Sequence, residues 1–147
     1  MDNDISKEFL VTHKKAKAFV NDQKRDSLSN ALFYFYEDIE NSFVVESGKQ
    51  SISKNELKAL ALAINGNRNN LVGLFVQPNV ELPLNSKQYL LNVIIILEKV
   101  ENNLEVLVNN SYLDRASFDT VFHNIFVELI SACEEADFSY TAYASEK

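Results

Sequence analysis

The sequence predicts an all-α fold, a single-domain bundle of about five or six helices around one long central helix. With 46% hydrophobic residues, the 147-residue chain can bury one core as a single domain, residues 1–147. Three Gly and two Pro are too few for the turns of a β-sandwich. Apolar residues recur at steps of three and four, and two segments contain helix-capping patterns. Together these observations favour helices throughout.

The first 53 residues predict two helices and one ambiguous segment. Residues 5–20 form an amphipathic pattern in which the basic run from His13 to Lys17 occupies the solvent side. Asp26 or Ser27 is expected to cap a second helix, whose apolar face runs from Leu28 to Phe43. Residues 42–53 fit either a loop, which is favoured, or a minor β-hairpin.

The third helix is predicted from its cap. Ser53 and Glu56 have capping-box spacing, so a helix is expected to begin at Lys54. The Asn65-Gly66 pair is expected to end it, because glycine readily adopts the left-handed conformation of a helix terminus. The apolar run 71–76 is too short to show its period, and it fits either a short helix or a strand.

The stretch "YLLNVIIILEKVENNLEVLVNN", residues 89–110, predicts the central helix. Asn85 and Gln88 repeat the capping-box spacing, so the helix is expected over about 86–109. Its first half is apolar on every side except at Asn92, and we expect it to be covered all round. Its seam consists of Leu90, Val93, Leu97, Val100, Leu104 and Leu107. The cover of this seam is either the rest of the chain, which is favoured, or a second copy in a homodimer.

The C-terminal part predicts one more helix and a tail. Ser111 and Asp114 are candidate caps, and apolar residues from Phe118 to Ala136 have core spacing. Residues 138–147 show no core pattern, so we expect a loosely held tail.

The excess of negative charge lies in the last third of the chain. Residues 98–147 contain ten acids and three bases (3 − 10 = −7), which is the net charge of the whole protein. Such a surface disfavours nucleic acid and attracts basic proteins. The single cysteine, Cys133, fits a reducing cytoplasm. No secretory-signal pattern and no apolar run of about 20 residues occurs, so neither export nor a membrane partner is expected.

The sequence offers little for catalysis. It contains no Gly-rich nucleotide loop, no G-x-S-x-G and no H-E-x-x-H motif, so we expect no enzyme activity, no cofactor and no metal site. Asp119 and His123, one helical turn apart, are the best catalytic pair, with Cys133 ten residues further on. A pair at this spacing is typical of the surface of a helix, and Cys133 falls at core spacing.

The sequence therefore favours an acidic cytoplasmic protein-binding module. Its most concrete form is an immunity-protein-like or antitoxin-like inhibitor that occludes a basic toxin or nuclease. The predicted partner-binding residues are Glu128, Glu134, Glu135 and Asp137, with Tyr140 and Tyr143 as aromatic anchors. One alternative is a transcription regulator that binds DNA through residues 54–68, with Lys54, Lys58 and Arg68. A second alternative is an adaptor or structural subunit of a larger assembly.

Overall fold

The computed structural model describes residues 3–21, 26–40, 53–77, 81–110 and 114–145. These ranges contain five helices and no strand, which confirms the predicted all-α bundle. The helices are α1 (Asn3–Asn21), α2 (Ser27–Glu40), α3 (Lys54–Val76), α4 (Leu84–Asn109) and α5 (Arg115–Ser145). The choice between a loop and a hairpin at 42–53 falls almost wholly outside the described residues.

The central helix is α4. It packs against α5 on one side and α3 on the other, while α1 packs on α5 and α2 contacts α1 and α3. All six residues of its seam, from Leu90 to Leu107, are buried within the single chain. The prediction that the chain covers its own seam is therefore confirmed. A homodimer through this seam is wrong, because these side chains are already enclosed.

The first half of α4 is not covered on every side. Leu91 is 49% exposed and Ile95 is 44% exposed, although Leu90, Val93 and Leu97 beside them are buried. The expectation of complete burial was wrong because α3 and α5 cover two sides of α4 and leave its outer side to solvent.

Helices α1 and α2 meet around a buried histidine. His13 was predicted on the solvent side, but it is buried, and its Nε2 donates a hydrogen bond to the backbone oxygen of Tyr36 at 2.7 Å. It lies four residues after Phe9 and three before Ala16, so it shares their inward side. Asp26 is the cap of α2, since its Oδ1 accepts from the Ser29 backbone N–H at 2.9 Å.

Helix α3 begins as predicted and ends later. Ser53 and Glu56 form the expected capping box, with both cap hydrogen bonds at 3.1 Å. The predicted end at Asn65-Gly66 was wrong, and 71–76 is helical rather than a strand. The buried Asn67 side chain bridges this region by donating from Nδ2 to the oxygen of Ala63 and to Asp38 of α2, both at 2.8 Å. These tertiary contacts, with Leu71 and Leu74 buried beyond them, outweigh the local preference of Gly66.

Gly66 is a site where stability should increase. It is exposed in the interior of α3, and a Cβ placed there meets no atom within 4 Å. Gly66→Ala should therefore raise the free energy of unfolding by about 0.5–1 kcal/mol, because alanine loses less backbone entropy in a helix. Urea denaturation followed by circular dichroism measures this change. A lower stability would show that the backbone at this position is not helical.

Helix α4 differs from the prediction at its start, whereas α5 begins at one of its two predicted caps. Helix α4 begins at Leu84 after Pro83, with no side-chain cap, so the capping box of Asn85 and Gln88 was wrong. Asp114 caps α5 by accepting from the Ser117 backbone N–H at 2.7 Å.

The expected loosely held tail is the last part of α5, which continues to Ser145. Ser139 is fully buried, and its Oγ donates to the backbone oxygen of Ser86 at 2.9 Å. The Ser86 Oγ donates in return to the backbone oxygen of Ser139 at 2.9 Å. This reciprocal serine pair holds the C-terminal part of α5 on the start of α4. The sequence pattern missed it because a serine occupies the core position.

Candidate protein-binding surface

The four acids predicted as a binding surface all lie on α5, but they do not converge on one point. Nine residues separate Glu128 from Asp137, which at 3.6 residues per turn places them on opposite sides of the helix. Glu134 is exposed between these two sides, and Glu135 is partly exposed. The acids therefore spread across the outer half of α5, with Glu135 on the same side as Glu128 and Glu134 between that side and Asp137.

Two of the acids bind side chains of α4. Glu128 accepts from the Asn103 amide at 3.1 Å, and Glu135 accepts from the Asn92 amide at 3.3 Å. Partial burial raises the pKa of Glu128 above its usual range, while the Asn103 hydrogen bond acts in the opposite direction. A cation brought close to Glu128 would favour its charged form and compensate for this loss of hydration.

Asp137 lies at the opposite edge of α5, near the interior. Partial burial raises its pKa. Burial also raises the pKa of Tyr36 well above its ordinary value, with smaller contributions from Cys133 and from the charge of Asp137. Asp137 therefore lies beside the contact between α2 and α5, away from Glu128 and Glu135.

The two tyrosines predicted as exposed anchors are part of the core. Tyr140 is buried and Tyr143 is partly buried against the core, with their ring centroids 5.7 Å apart. The prediction was wrong because the core spacing of α5 continues beyond Ala136 into this segment. Neither tyrosine lies on the outer side that carries Glu134.

An aromatic pair that the sequence did not reveal lies beside the acids instead. Phe138 of α5 is 48% exposed and Tyr89 of α4 is 36% exposed, and their ring centroids are 5.5 Å apart. Phe138 follows Glu134 by one turn, and Tyr89 precedes Asn92, the partner of Glu135, by three residues. We call Tyr89, Glu134, Glu135 and Phe138 the acid-aromatic surface. Phe138 falls off the core spacing of α5, but its pairing with Tyr89 depends on how α4 and α5 pack.

The bases suggested for DNA contact are partly engaged elsewhere. Lys54 and Lys58 are exposed on α3. Arg68 forms an ion pair with Glu101 of α4, with Nε 3.1 Å from Oε1. The guanidinium charge is thus balanced within the chain.

Two of the three catalytic candidates, Asp119 and Cys133, make contacts within the fold. Asp119 pairs with Arg115 of the same helix at 3.4 Å. Cys133 is fully buried, and burial raises the pKa of its thiol, which disfavours the reactive thiolate. In the described part of the chain, no group of three or more His, Cys, Asp or Glu side chains could hold a metal ion.

Cys133 should therefore resist chemical modification in the native protein. We expect a maleimide reagent to label it at least ~100-fold more slowly in buffer than in denaturant, because labelling requires opening of the core. Mass spectrometry of timed samples measures both rates. Fast native labelling would show that the thiol reaches solvent and is not a core side chain.

Within the described helices, none is both long enough and apolar enough to cross a membrane. Comparisons of the chain with protein-family models, with curated proteins and with solved structures found no match.

Proposed function

We propose that this chain is an acidic cytoplasmic protein-binding module that recognises a basic protein through the acid-aromatic surface. The observation that carries the proposal is the exposed pair of Tyr89 and Phe138 directly beside Glu134 and Glu135. Aromatic side chains supply apolar area that becomes buried on binding, and they are enriched in the residues that dominate binding energy. The adjacent carboxylates favour lysine and arginine on the partner, whose cations also interact with aromatic faces.

The charge of α5 supports a basic partner. Between Arg115 and Ser145 there are five acids and one base, a net charge of 1 − 5 = −4. A field of this sign speeds the encounter with a positively charged protein, and added salt weakens the effect. It opposes the approach of nucleic acid phosphates.

The most concrete form of the proposal is an inhibitor that occludes a toxin, in the manner of an immunity protein or an antitoxin. A nuclease needs a positive active site to hold its phosphate substrate, and an acidic surface can cover such a site. Fast association suits this role, because the inhibitor must bind before the toxin acts.

The test begins with capture of partners on the immobilised protein from the lysate of the native host. Association and dissociation rates are then measured at low and high salt for the wild type and for Glu134→Lys with Glu135→Lys. We expect this double variant to associate about tenfold more slowly at low salt. Phe138→Ala should mainly speed dissociation, because it removes an apolar contact that becomes buried in the complex and leaves the charge unchanged.

A matched control separates local contact from total charge. Glu81→Lys with Glu105→Lys changes the net charge equally at two exposed positions outside the acid-aromatic surface. If both double variants slow association equally and Phe138→Ala has no effect, the acid-aromatic surface is not the binding site. An inhibitor must in addition abolish the activity of the captured protein at equimolar ratio, and a partner that stays active would contradict that form of the proposal.

A further inference from the structure

A second exposed face lies on the side of α3 and α4 away from the acid-aromatic surface. On α4, Leu84, Leu91 and Ile95 are exposed, and they lie within about 40° of one another around the helix. On α3, Val72 and Val76 are exposed one turn apart. We call these five residues the outer face.

The two parts of the outer face adjoin each other. Seven residues connect α3 to α4, and the two helices pack together, so they run in opposite directions. The Arg68–Glu101 ion pair joins their edges at 3.1 Å. From this pair, Val72 and Val76 follow along α3, while Ile95 and Leu91 lie in the same direction along α4. The apolar side chains therefore form one face of a two-helix layer.

Opposite charges flank Leu91 and Ile95 on α4. Lys87 precedes Leu91 by one turn, and Glu98 follows Ile95 by nearly one turn. Eleven residues separate Lys87 from Glu98, which is about three turns and about 16 Å, so both project from the same side of α4. Both side chains are exposed, and neither forms an ion pair with another described residue. Because the positive charge lies towards one end of α4 and the negative charge towards the other, an antiparallel copy of the helix would bring opposite charges together.

We propose that the outer face binds a second copy of this chain, with the two α4 helices antiparallel about a two-fold axis between Leu91 and Ile95. This arrangement buries the apolar centre on both copies. It also places Lys87 of each copy opposite Glu98 of the other, which forms two equivalent ion pairs. A parallel arrangement would instead bring like charges together.

Little of the acidic excess lies in this contact. Between residues 72 and 98, which include the proposed contact, the sequence contains two acids, Glu81 and Glu98, and one base, Lys87, a net charge of 1 − 2 = −1. Most of the surplus, a net charge of −4 out of −7, lies on α5, which packs on another side of α4. A dimer of this kind leaves both acid-aromatic surfaces exposed.

The dimer should be reversible. The seam of α4 is already buried within one chain, so each copy has a complete core before association. The population of dimer should therefore rise with protein concentration, as in an exchanging pair of folded subunits.

Sedimentation equilibrium of the full chain, at concentrations up to about 1 mM, measures the dissociation constant of the dimer. Ile95→Glu places a charge at the centre of the outer face, and we expect it to weaken dimerisation at least ~10-fold. The control is Val106→Glu on the same helix, because Val106 is 43% exposed and Ile95 is 44% exposed. Val106 lies about three turns beyond Ile95, outside the proposed contact, so its substitution should change the dissociation constant less than ~2-fold. Circular dichroism confirms that both variants remain helical.

A charge exchange tests the two-fold geometry independently. Lys87→Glu and Glu98→Lys each place like charges opposite one another, and each should weaken dimerisation about threefold or more at low salt. The double variant exchanges the signs and should restore the wild-type constant. If the double variant dimerises as weakly as the single variants, the antiparallel pairing is overturned. A chain that stays monomeric at every concentration would overturn the proposed dimer. Equal effects of Ile95→Glu and Val106→Glu on the dissociation constant would do the same. The outer face would then be a binding site for a different protein.

Discussion

Leu97→Ala is expected to lower the free energy of unfolding by about 2–5 kcal/mol. Leu97 is fully buried in the seam of α4, between α3 and α5. Truncation removes apolar contacts on a helix that both neighbours enclose, and the surrounding side chains can fill the resulting cavity only in part. Urea denaturation of the wild type and the variant, followed by circular dichroism, measures the difference.

Leu91→Ala on the same helix is the matched control. Leu91 is about half exposed, so its truncation should cost less than about 1 kcal/mol. Both residues lie in the apolar run 89–97, and both changes remove the same atoms. Equal losses of stability would contradict the orientation of α4, in which Leu97 is buried and Leu91 is half exposed. A larger loss at Leu91 would mean that the outer face is covered in the monomer.

The contrast between these two leucines shows how far the sequence alone can predict α4. The steps of three and four from Leu90 to Leu107 identify the seam, because residues at these steps share one side of a helix. In the first half of the helix, however, the apolar residues point in nearly every direction. Periodicity cannot show which of them are covered when all are apolar. That depends on the positions of α3 and α5, which tertiary packing determines.

The ends of helices show a second limit. The capping box at Ser53 is a local structure whose partners lie three residues apart, and it formed as predicted. The stop at Gly66 and the capping box at Asn85 are also local signals, but neither determines a helix end. Helix α3 continues past Gly66 to Val76, and α4 begins before Asn85, at Leu84. Asn67 and Leu71 hold α3 in place beyond Gly66. A local preference of about 1 kcal/mol is easily outweighed by such contacts.

The candidate site was predictable in its charge but not in its aromatic residues. The acidic excess of the last third is visible in the sequence, and Glu134 and Glu135 lie on the outer half of α5. Tyr140 was assigned to a tail, yet it continues the core of α5. The pair of Tyr89 and Phe138 joins two helices that lie far apart in sequence, so no local pattern could identify it.

Tyr36→Phe is expected to raise the free energy of unfolding by about 1–3 kcal/mol, an unusual direction for a change in the core. The Tyr36 ring is fully buried between α1, α2 and α5, and it contacts the rings of His13 and Phe35. Its hydroxyl has no hydrogen-bond partner among the described residues. An unsatisfied hydroxyl loses its hydration on folding without compensation, and phenylalanine keeps the ring contacts while removing that cost.

Tyr34→Phe provides the control at a neighbouring position of the same helix. Tyr34 is exposed, so its hydroxyl remains hydrated in the folded state, and its loss should change stability by no more than about 0.5 kcal/mol. Denaturant unfolding of the two variants beside the wild type gives both values. If Tyr36→Phe lowers stability instead, the hydroxyl is hydrogen-bonded in the native protein. The Tyr36 hydroxyl would then take part in a polar contact between α2 and the region of Cys133 and Asp137 on α5. This contact would contribute to the stability of the fold.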